Sequence, residues 1–372
     1  MKTIILGAGI TGLSAGVKTG FPVYEAKEVP GGICRSYYKN GYSFENGGGH
    51  WLFGGDLNSL NFIKQFGILE KYIRDSGIYF NNTIPYPIQT ALNDDTCVLP
   101  GSMKHWLLER FGKELCNLFF FPFNEKYTAN LYNFILSENE YKSPEPRKGG
   151  YNSTFHYPKE GLDTLVDNMA KQADVRYNKK AVRIDLSDKV VEFEDGEKFI
   201  FDRLISTLPL VKTQELCGVK DKMLPHTSTL VLNIGAEKGK NCPKEQWLYI
   251  PHSKSGFYRV GIYSNVSDRF APKGKASLYV EKSYFESFES EEYLGYENRV
   301  IEELQDWGWI GAVDVVDPNW IEYAYTWLHR DSDVQGSIDW LKEYGIESIG
   351  RYGKWKFQGI MDSVSDGLGV EC

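Results

Sequence analysis

Near its start the chain reads Lys2-Thr3-Ile4-Ile5-Leu6-Gly7-Ala8-Gly9-Ile10-Thr11-Gly12, an apolar run followed by three glycines in G-x-G-x-x-G spacing. A strand can end there in a tight turn at Gly7, let its backbone approach a pyrophosphate at Gly9, and pack against a helix at Gly12. The helix N-terminus then faces the phosphates. The next apolar stretch, Phe21 to Tyr24, predicts a second strand ending at Glu25, whose carboxylate can accept hydrogen bonds from the ribose hydroxyls of an adenosine. The interval from Gly7 to Glu25 is short, so the first helix is expected to be about one turn shorter than usual in such folds. Taken alone, a glycine triplet is equally compatible with an ordinary turn.

A second glycine turn follows at Gly31-Gly32-Ile33-Cys34-Arg35-Ser36. It resembles the turn that brings backbone and a basic side chain to the pyrophosphate in flavoproteins with two dinucleotide domains. The resemblance implies FAD, with Gly7, Gly9, Gly12, Glu25, Gly32 and Arg35 in its site.

With 372 residues, 42% apolar and 15% aromatic, the chain is long enough for two or three cores. Its formal charge of -8, with no long Lys/Arg run, argues against general binding to nucleic acid or an anionic membrane. Any anionic ligand therefore has to meet a local basic cluster. The six cysteines, Cys34, Cys97, Cys116, Cys217, Cys242 and Cys372, lack CxxC spacing and read as reduced, mostly buried thiols, so neither a disulfide frame nor a metal site is expected. The apolar stretch after Lys2 imitates a leader, yet its removal would destroy the glycine fingerprint. No run approaches the roughly 18 apolar residues of a membrane span, and the cytoplasm is the expected compartment.

Along the chain, Leu60, Phe62, Ile63, Phe66, Leu69, Tyr72 and Ile73 recur at helical spacing and predict an amphipathic helix within Leu57 to Asp75. A Pro-rich connector, Ile84 to Gln89, precedes a second helical region from Ser102 to about Ser137. The segment from Ser143 to Ser153 carries two prolines and two glycines and reads as a mobile lid. An alternating α/β pattern then returns, with a helix from Gly161 to Gln172, strands at Ala181 to Leu186 and Arg203 to Ser206, and a hairpin turn at Asp195-Gly196. From Ser228 to Tyr325 the runs are β-like and mainly antiparallel in expectation. Ile349 to Gly353 reads as a strand, and Asp362 to Gly367 as a helix start able to aim amides at a polarised flavin carbonyl.

These pieces, in this order, resemble the UDP-galactopyranose mutases in their eukaryotic-type variant, within the larger amine oxidase and protoporphyrinogen oxidase group. The resemblance rests on Gly47-Gly48-Gly49-His50, Pro85-Tyr86-Pro87-Ile88-Gln89, Pro122-Phe123-Asn124-Glu125-Lys126-Tyr127, Trp247-Leu248-Tyr249-Ile250-Pro251 with Phe257-Tyr258-Arg259, and Gly350-Arg351-Tyr352-Gly353-Lys354-Trp355. It implies an α/β fold: an FAD-binding Rossmann-like domain (1–56, 154–218 and 335–372), a mainly helical insertion (57–153) and an antiparallel β-sheet substrate domain (219–334). It further implies a nucleotide-sugar mutase that interconverts pyranose and furanose forms. In that chemistry reduced FAD attacks the anomeric carbon through N5 with no net redox, and an outside reductant such as NAD(P)H keeps the flavin active.

By the same resemblance, His50 and Arg259 are the catalytic residues, and Gln89, Arg147, His156, Tyr249, Arg259, Tyr325 and Phe357 line the substrate site. Further flavin contacts are implied at Gly49, His50, Val182, Thr207, Gly350, Arg351, Asp362 and Ser363. A guanidinium suits a leaving diphosphate because it can bind two oxygens at once. Two positions depart from the family pattern: His156 stands where a second diphosphate arginine is usual, and Phe357 where a phenol is usual. UDP-galactose is therefore expected to be a poorer substrate than another nucleotide sugar. The competing reading is an FAD-dependent oxidoreductase of the protoporphyrinogen or amine oxidase type, which shares the fingerprint and the Tyr157 to Leu162 segment but not the Tyr249 and Arg259 pair. Ordinary structural roles, a sheet-edge cap for Arg259 and a satisfied histidine for His50, stand beside these assignments.

Overall fold

The computed structural model describes residues 2–86, 101–136, 153–219, 224–285, 293 and 295–372. Thr3–Leu6 is buried at every position, as a central parallel strand must be when helices cover both its faces. It lies third in a five-stranded parallel sheet, between Val23–Tyr24 and Arg203–Ser206. Val175–Arg176 and Ile346–Ser348 form the edges. The helix after the fingerprint, Ile10–Thr19, has 10 residues and stops at Gly20 in the left-handed conformation, so the short Gly7 to Glu25 interval is met by a short helix. The last helix, Ile360–Leu368, packs along it so closely that a Cβ on Gly367 would lie 2.4 Å from the Thr11 carbonyl oxygen.

The second large element is a seven-stranded sheet in the order Ile310–Thr326, His226–Lys238, Lys275–Phe285, Arg259–Ile262, Trp247–Tyr249, Ser76–Tyr79 and Thr83–Pro85. All its pairings are antiparallel except that of Trp247–Tyr249 with Ser76–Tyr79. One face packs Leu248, Val260, Leu278 and Val280 against the helix Tyr296–Asp306. Helical segments Met103–Leu115, Cys116–Phe120 and Phe121–Tyr127 share an aromatic core with Ile78, Tyr258 and Trp327. Smaller sheets join Leu52–Phe53, Thr154–Pro158 and Leu69–Ile73, and join Ala181–Asp185, Val190–Phe193 and Lys198–Ile200. The architecture is the mixed α/β one expected, with a parallel dinucleotide-type sheet beside a large, mainly antiparallel one.

Two local expectations are corrected. The amphipathic pattern from Leu57 to Asp75 is not one helix: a helix covers Leu57–Ile63, and Leu69–Ile73 is a strand paired with Thr154–Pro158. Apolar residues at 69, 72 and 73 satisfy a helical period, but a strand more than eighty residues later supplies the hydrogen bonds that decide the matter. Near the end of the chain the strand is Ile346–Ser348, and Gly350–Gly353 is a helical turn entered through Gly350 at φ 80°.

Candidate functional site

The fingerprint is built as its spacing requires. A Cβ on Gly12 would sit 1.9 Å from the Gly7 carbonyl oxygen, so only glycine lets helix and turn meet. Gly9 is different, because a Cβ there would meet no protein atom within 4 Å, and Gly32 across from it would meet only the Gly9 Cα at 3.7 Å. The two glycine turns thus leave a space beside bare backbone, joined by the bridge between Gly9 and Gly31. Glu25 is held at the end of its strand by the amides of Ala8 (2.7 Å) and Lys27 (2.9 Å). The Thr207 hydroxyl donates to the Leu6 carbonyl at 2.9 Å and seals the neighbouring strand end. This cradle, with a helix N-terminus behind it, fits the pyrophosphate and ribose of FAD. Arg35 is engaged differently from the sequence expectation, pairing with Asp167 at 2.6 Å. Val182 is exposed on the Ala181–Asp185 strand, close in the chain to Lys179, whose amide donates to the Glu25 carbonyl.

A second cluster forms where the Gly47–His50 loop meets the large sheet. Tyr249 and Arg259 are cross-strand partners, and Arg259 is opposite Glu281 on the next strand. The Arg259 Nη2 donates to the buried Glu281 carboxylate and lies 2.9 Å from the Tyr325 hydroxyl. Its Nε is buried with no acceptor. Arg351 stacks on Phe357 (4.6 Å) and Tyr325 (5.6 Å), and its Nε is a second buried donor without an acceptor. Such orphans are uncommon in folded proteins and mark places where a ligand acceptor fits. Both guanidiniums act on His50. Burial first, then Arg351 and Arg259, lower its imidazole to about 4 against the opposing effect of the Gly48 carbonyl, which lies 3.0 Å from Nδ1. His50 is therefore a neutral ring at neutral pH.

The C-terminal helix starts at Gly359, whose amide donates to Asp362 at 2.9 Å, while the Ser363 hydroxyl bonds the Gly359 carbonyl at 3.0 Å. Asp362 is thereby used in capping the helix, and the Ser363 hydroxyl bonds back to the carbonyl four residues earlier. His156 is not joined to the arginine cluster by any contact among the described residues. Burial, then the ammonium groups of Lys71 and Lys64, lower its pKa. Gln89 and Arg147, with most of the expected lid from 143 to 153, lie outside the described residues.

Two participants escaped sequence reasoning. Glu281 sits in an apolar β run and becomes the partner of Arg259 only through strand register. Arg74 lies over the rings of Tyr86 (5.2 Å) and Trp247 (5.3 Å), and Tyr86 packs in turn on Tyr249 at 4.4 Å. The Arg74 Nε donates to Ser76 at 3.0 Å. Arg74 thus brings a cation to the aromatic wall beside Tyr249, and nothing in its local sequence announces it.

No helix among the described residues is long and apolar enough to cross a membrane, and no group of His, Cys, Asp or Glu among them could hold a metal. Comparison with known proteins agrees with the cradle. The crystal structure of a reduced UDP-galactopyranose mutase superposes with a TM-score of 0.85 at 23% identity, covering 99% of this chain and 94% of that one. An oxidoreductase from Methanosarcina mazei gives 0.71 at 15% identity over 99% of both chains. A CLA-producing fatty acid isomerase from P. acnes gives 0.67 at 13%, covering 99% of this chain and 97% of that one. These likenesses establish the fold. The model of the family described as flavin containing amine oxidoreductase matches residues 8–95 and 81–229, more than half of the chain. The cradle and this match together place the chain in the flavin-containing amine oxidoreductase family.

Proposed function

We propose that this chain is a flavin-dependent nucleotide-sugar mutase that interconverts pyranose and furanose forms without net oxidation. The observation that carries the reading is the convergence of Tyr249, Arg259, Tyr325, Arg351 and His50, including two buried guanidinium donors without acceptors. The likeness to a UDP-galactopyranose mutase over nearly the whole chain supports it. Bound FAD would supply an electron-rich ring nitrogen in its reduced state. The protein has to orient the sugar and stabilise the charge that develops on a departing diphosphate. Arg259 is held in place by Glu281 and Tyr325, so its remaining donors are preorganised and lose little freedom when an anionic oxygen arrives. Neutral His50 can pack on a ring or accept a hydrogen bond without adding charge.

The test is turnover of a panel of nucleotide sugars, UDP-galactose included, on dithionite-reduced holoprotein. Sugar-ring isomer, flavin absorbance and oxygen consumption are followed together. Ring isomerisation that needs reduced flavin yet consumes no reductant per turnover is expected. Peroxide released in step with product would place the chain with the oxidoreductases of its family, which the Methanosarcina mazei likeness keeps as the second reading.

A further inference from the structure

Glu45 ends the strand Tyr42–Glu45 and is fully buried, yet none of the chemistry above uses it. Its Oε1 accepts from the Tyr157 hydroxyl and, at 3.1 Å, from the Ser36 hydroxyl, while its Oε2 is buried with no partner. The Ser36 oxygen in turn accepts the Leu162 amide at 2.8 Å. An ionised carboxylate would leave an unpaired anionic oxygen in the core, a far costlier state than the neutral acid.

The position of this clamp in the chain gives it meaning. Ser36 directly follows the Gly31–Arg35 turn, and Glu45 is separated from the Gly47–His50 loop by Asn46 alone. The Asn46 amide also donates to the Arg35 carbonyl at 2.9 Å, and the Glu45 carbonyl accepts the Asn233 side chain at 2.9 Å. One buried carboxyl therefore ties together the two loops that would flank the pyrophosphate and the flavin ring. We propose that Glu45 is a positioning residue for the flavin, its carboxyl clamped by Tyr157 and Ser36 so that the second glycine turn and the His50 loop keep one fixed relation. This rests on flavin being the cofactor, not on the mutase reading.

The charged and titratable groups around Glu45 are Tyr157, Asp163 and Arg269, with Cys34 and Tyr263 also coupled to it. Burial dominates and pushes the carboxyl up to about 8, Asp163 adds to the rise, and the Tyr157 and Ser36 bonds with the Arg269 charge oppose it. Alkaline pH thus provides a way to break the clamp without mutation.

The experiment follows flavin fluorescence as it is released from diluted holoprotein at about pH 6.5 and about pH 9, in wild type, Glu45→Gln and Glu45→Ala. Wild type should release flavin severalfold faster at the higher pH, where the carboxyl, pushed up to about 8, is mostly ionised. Glu45→Gln, which stays neutral, should release at the slow rate at both pH values, and Glu45→Ala at a fast rate at both. If Glu45→Gln shows the same pH dependence as wild type, the proposal is overturned. That comparison stands even where Glu45→Ala fails to fold. A purified protein that carries no flavin and takes up none when it is supplied would overturn the cofactor assignment itself.

Discussion

Arg259 and Glu281 form a buried ion pair across neighbouring strands, and under the proposed reading Arg259 has a second task at the leaving diphosphate. Removing one partner of a buried ion pair leaves the other charge uncompensated, which typically costs about 3 to 5 kcal/mol. Arg259→Ala should therefore lower the unfolding midpoint and also turnover, the latter by about a hundredfold or more because a preorganised donor to the leaving group is gone. The double variant Arg259→Ala/Glu281→Gln separates the effects: stability should largely return, and turnover should not. Recovery of turnover along with stability would show that Arg259 only balances Glu281. Residues of this kind differ in how readable they are. Arg259, Tyr249 and His50 stand in short motifs whose order carries the resemblance, whereas Glu281 and Arg74 have no local signature. Their roles come from strand register and from a ring stack.

At the level of elements, two of the three fingerprint glycines make separable predictions. Gly12→Ala would force a Cβ to within 1.9 Å of the Gly7 carbonyl oxygen, between helix and strand. It should destabilise the protein by several kcal/mol, in the range of severe overpacking, and give little soluble product. Gly9→Ala meets no protein atom within 4 Å, so the apoprotein should fold with nearly the wild-type unfolding midpoint. It should nonetheless bind little flavin, because the added methyl occupies the space where the pyrophosphate approaches the backbone. Absorbance at the flavin band beside a thermal melt checks both variants, and full flavin content in Gly9→Ala would remove that glycine from the site. The strand, turn and helix of this element were legible because the signals that announce them, an apolar run and glycines at fixed spacing, are local, although the strand pairs with Arg203–Ser206 far along the chain. The segment from Leu69 to Ile73 was not, since its apolar spacing serves helix or strand and its partner strand is distant in sequence.

Across the whole molecule, His50 and Glu45 couple folding to pH in opposite directions. Folding lowers His50 from 6.5 to about 4, so the unfolded chain binds more protons between these values and stability rises with pH there. Folding raises Glu45 from 4.5 to about 8, so the folded chain holds a proton that the unfolded one has released, and stability falls as pH climbs through that window. The two partly offset each other below 6.5, and above it the Glu45 effect acts without His50. The unfolding free energy from urea titrations should therefore decline between about pH 6.5 and 8, by an amount on the order of 2 kcal/mol, and Glu45→Gln should flatten the decline. An unchanged slope in that variant would mean that another group carries it.

The division between chain and fold follows the range of the forces involved. The sequence by itself determined the strand, turn and helix of the dinucleotide fingerprint, the two glycine turns, the long β region and the motif residues, because turn geometry, apolar period and close backbone approach are properties of neighbouring residues. Only the tertiary structure decided that Arg35 pairs with Asp167, that His156 lies beside Lys64 and Lys71 rather than in the arginine cluster, and that Glu45 and Glu281 are buried carboxyls. Charge pairing and desolvation depend on what packs around a side chain, and those neighbours come from strands and loops far apart in the sequence.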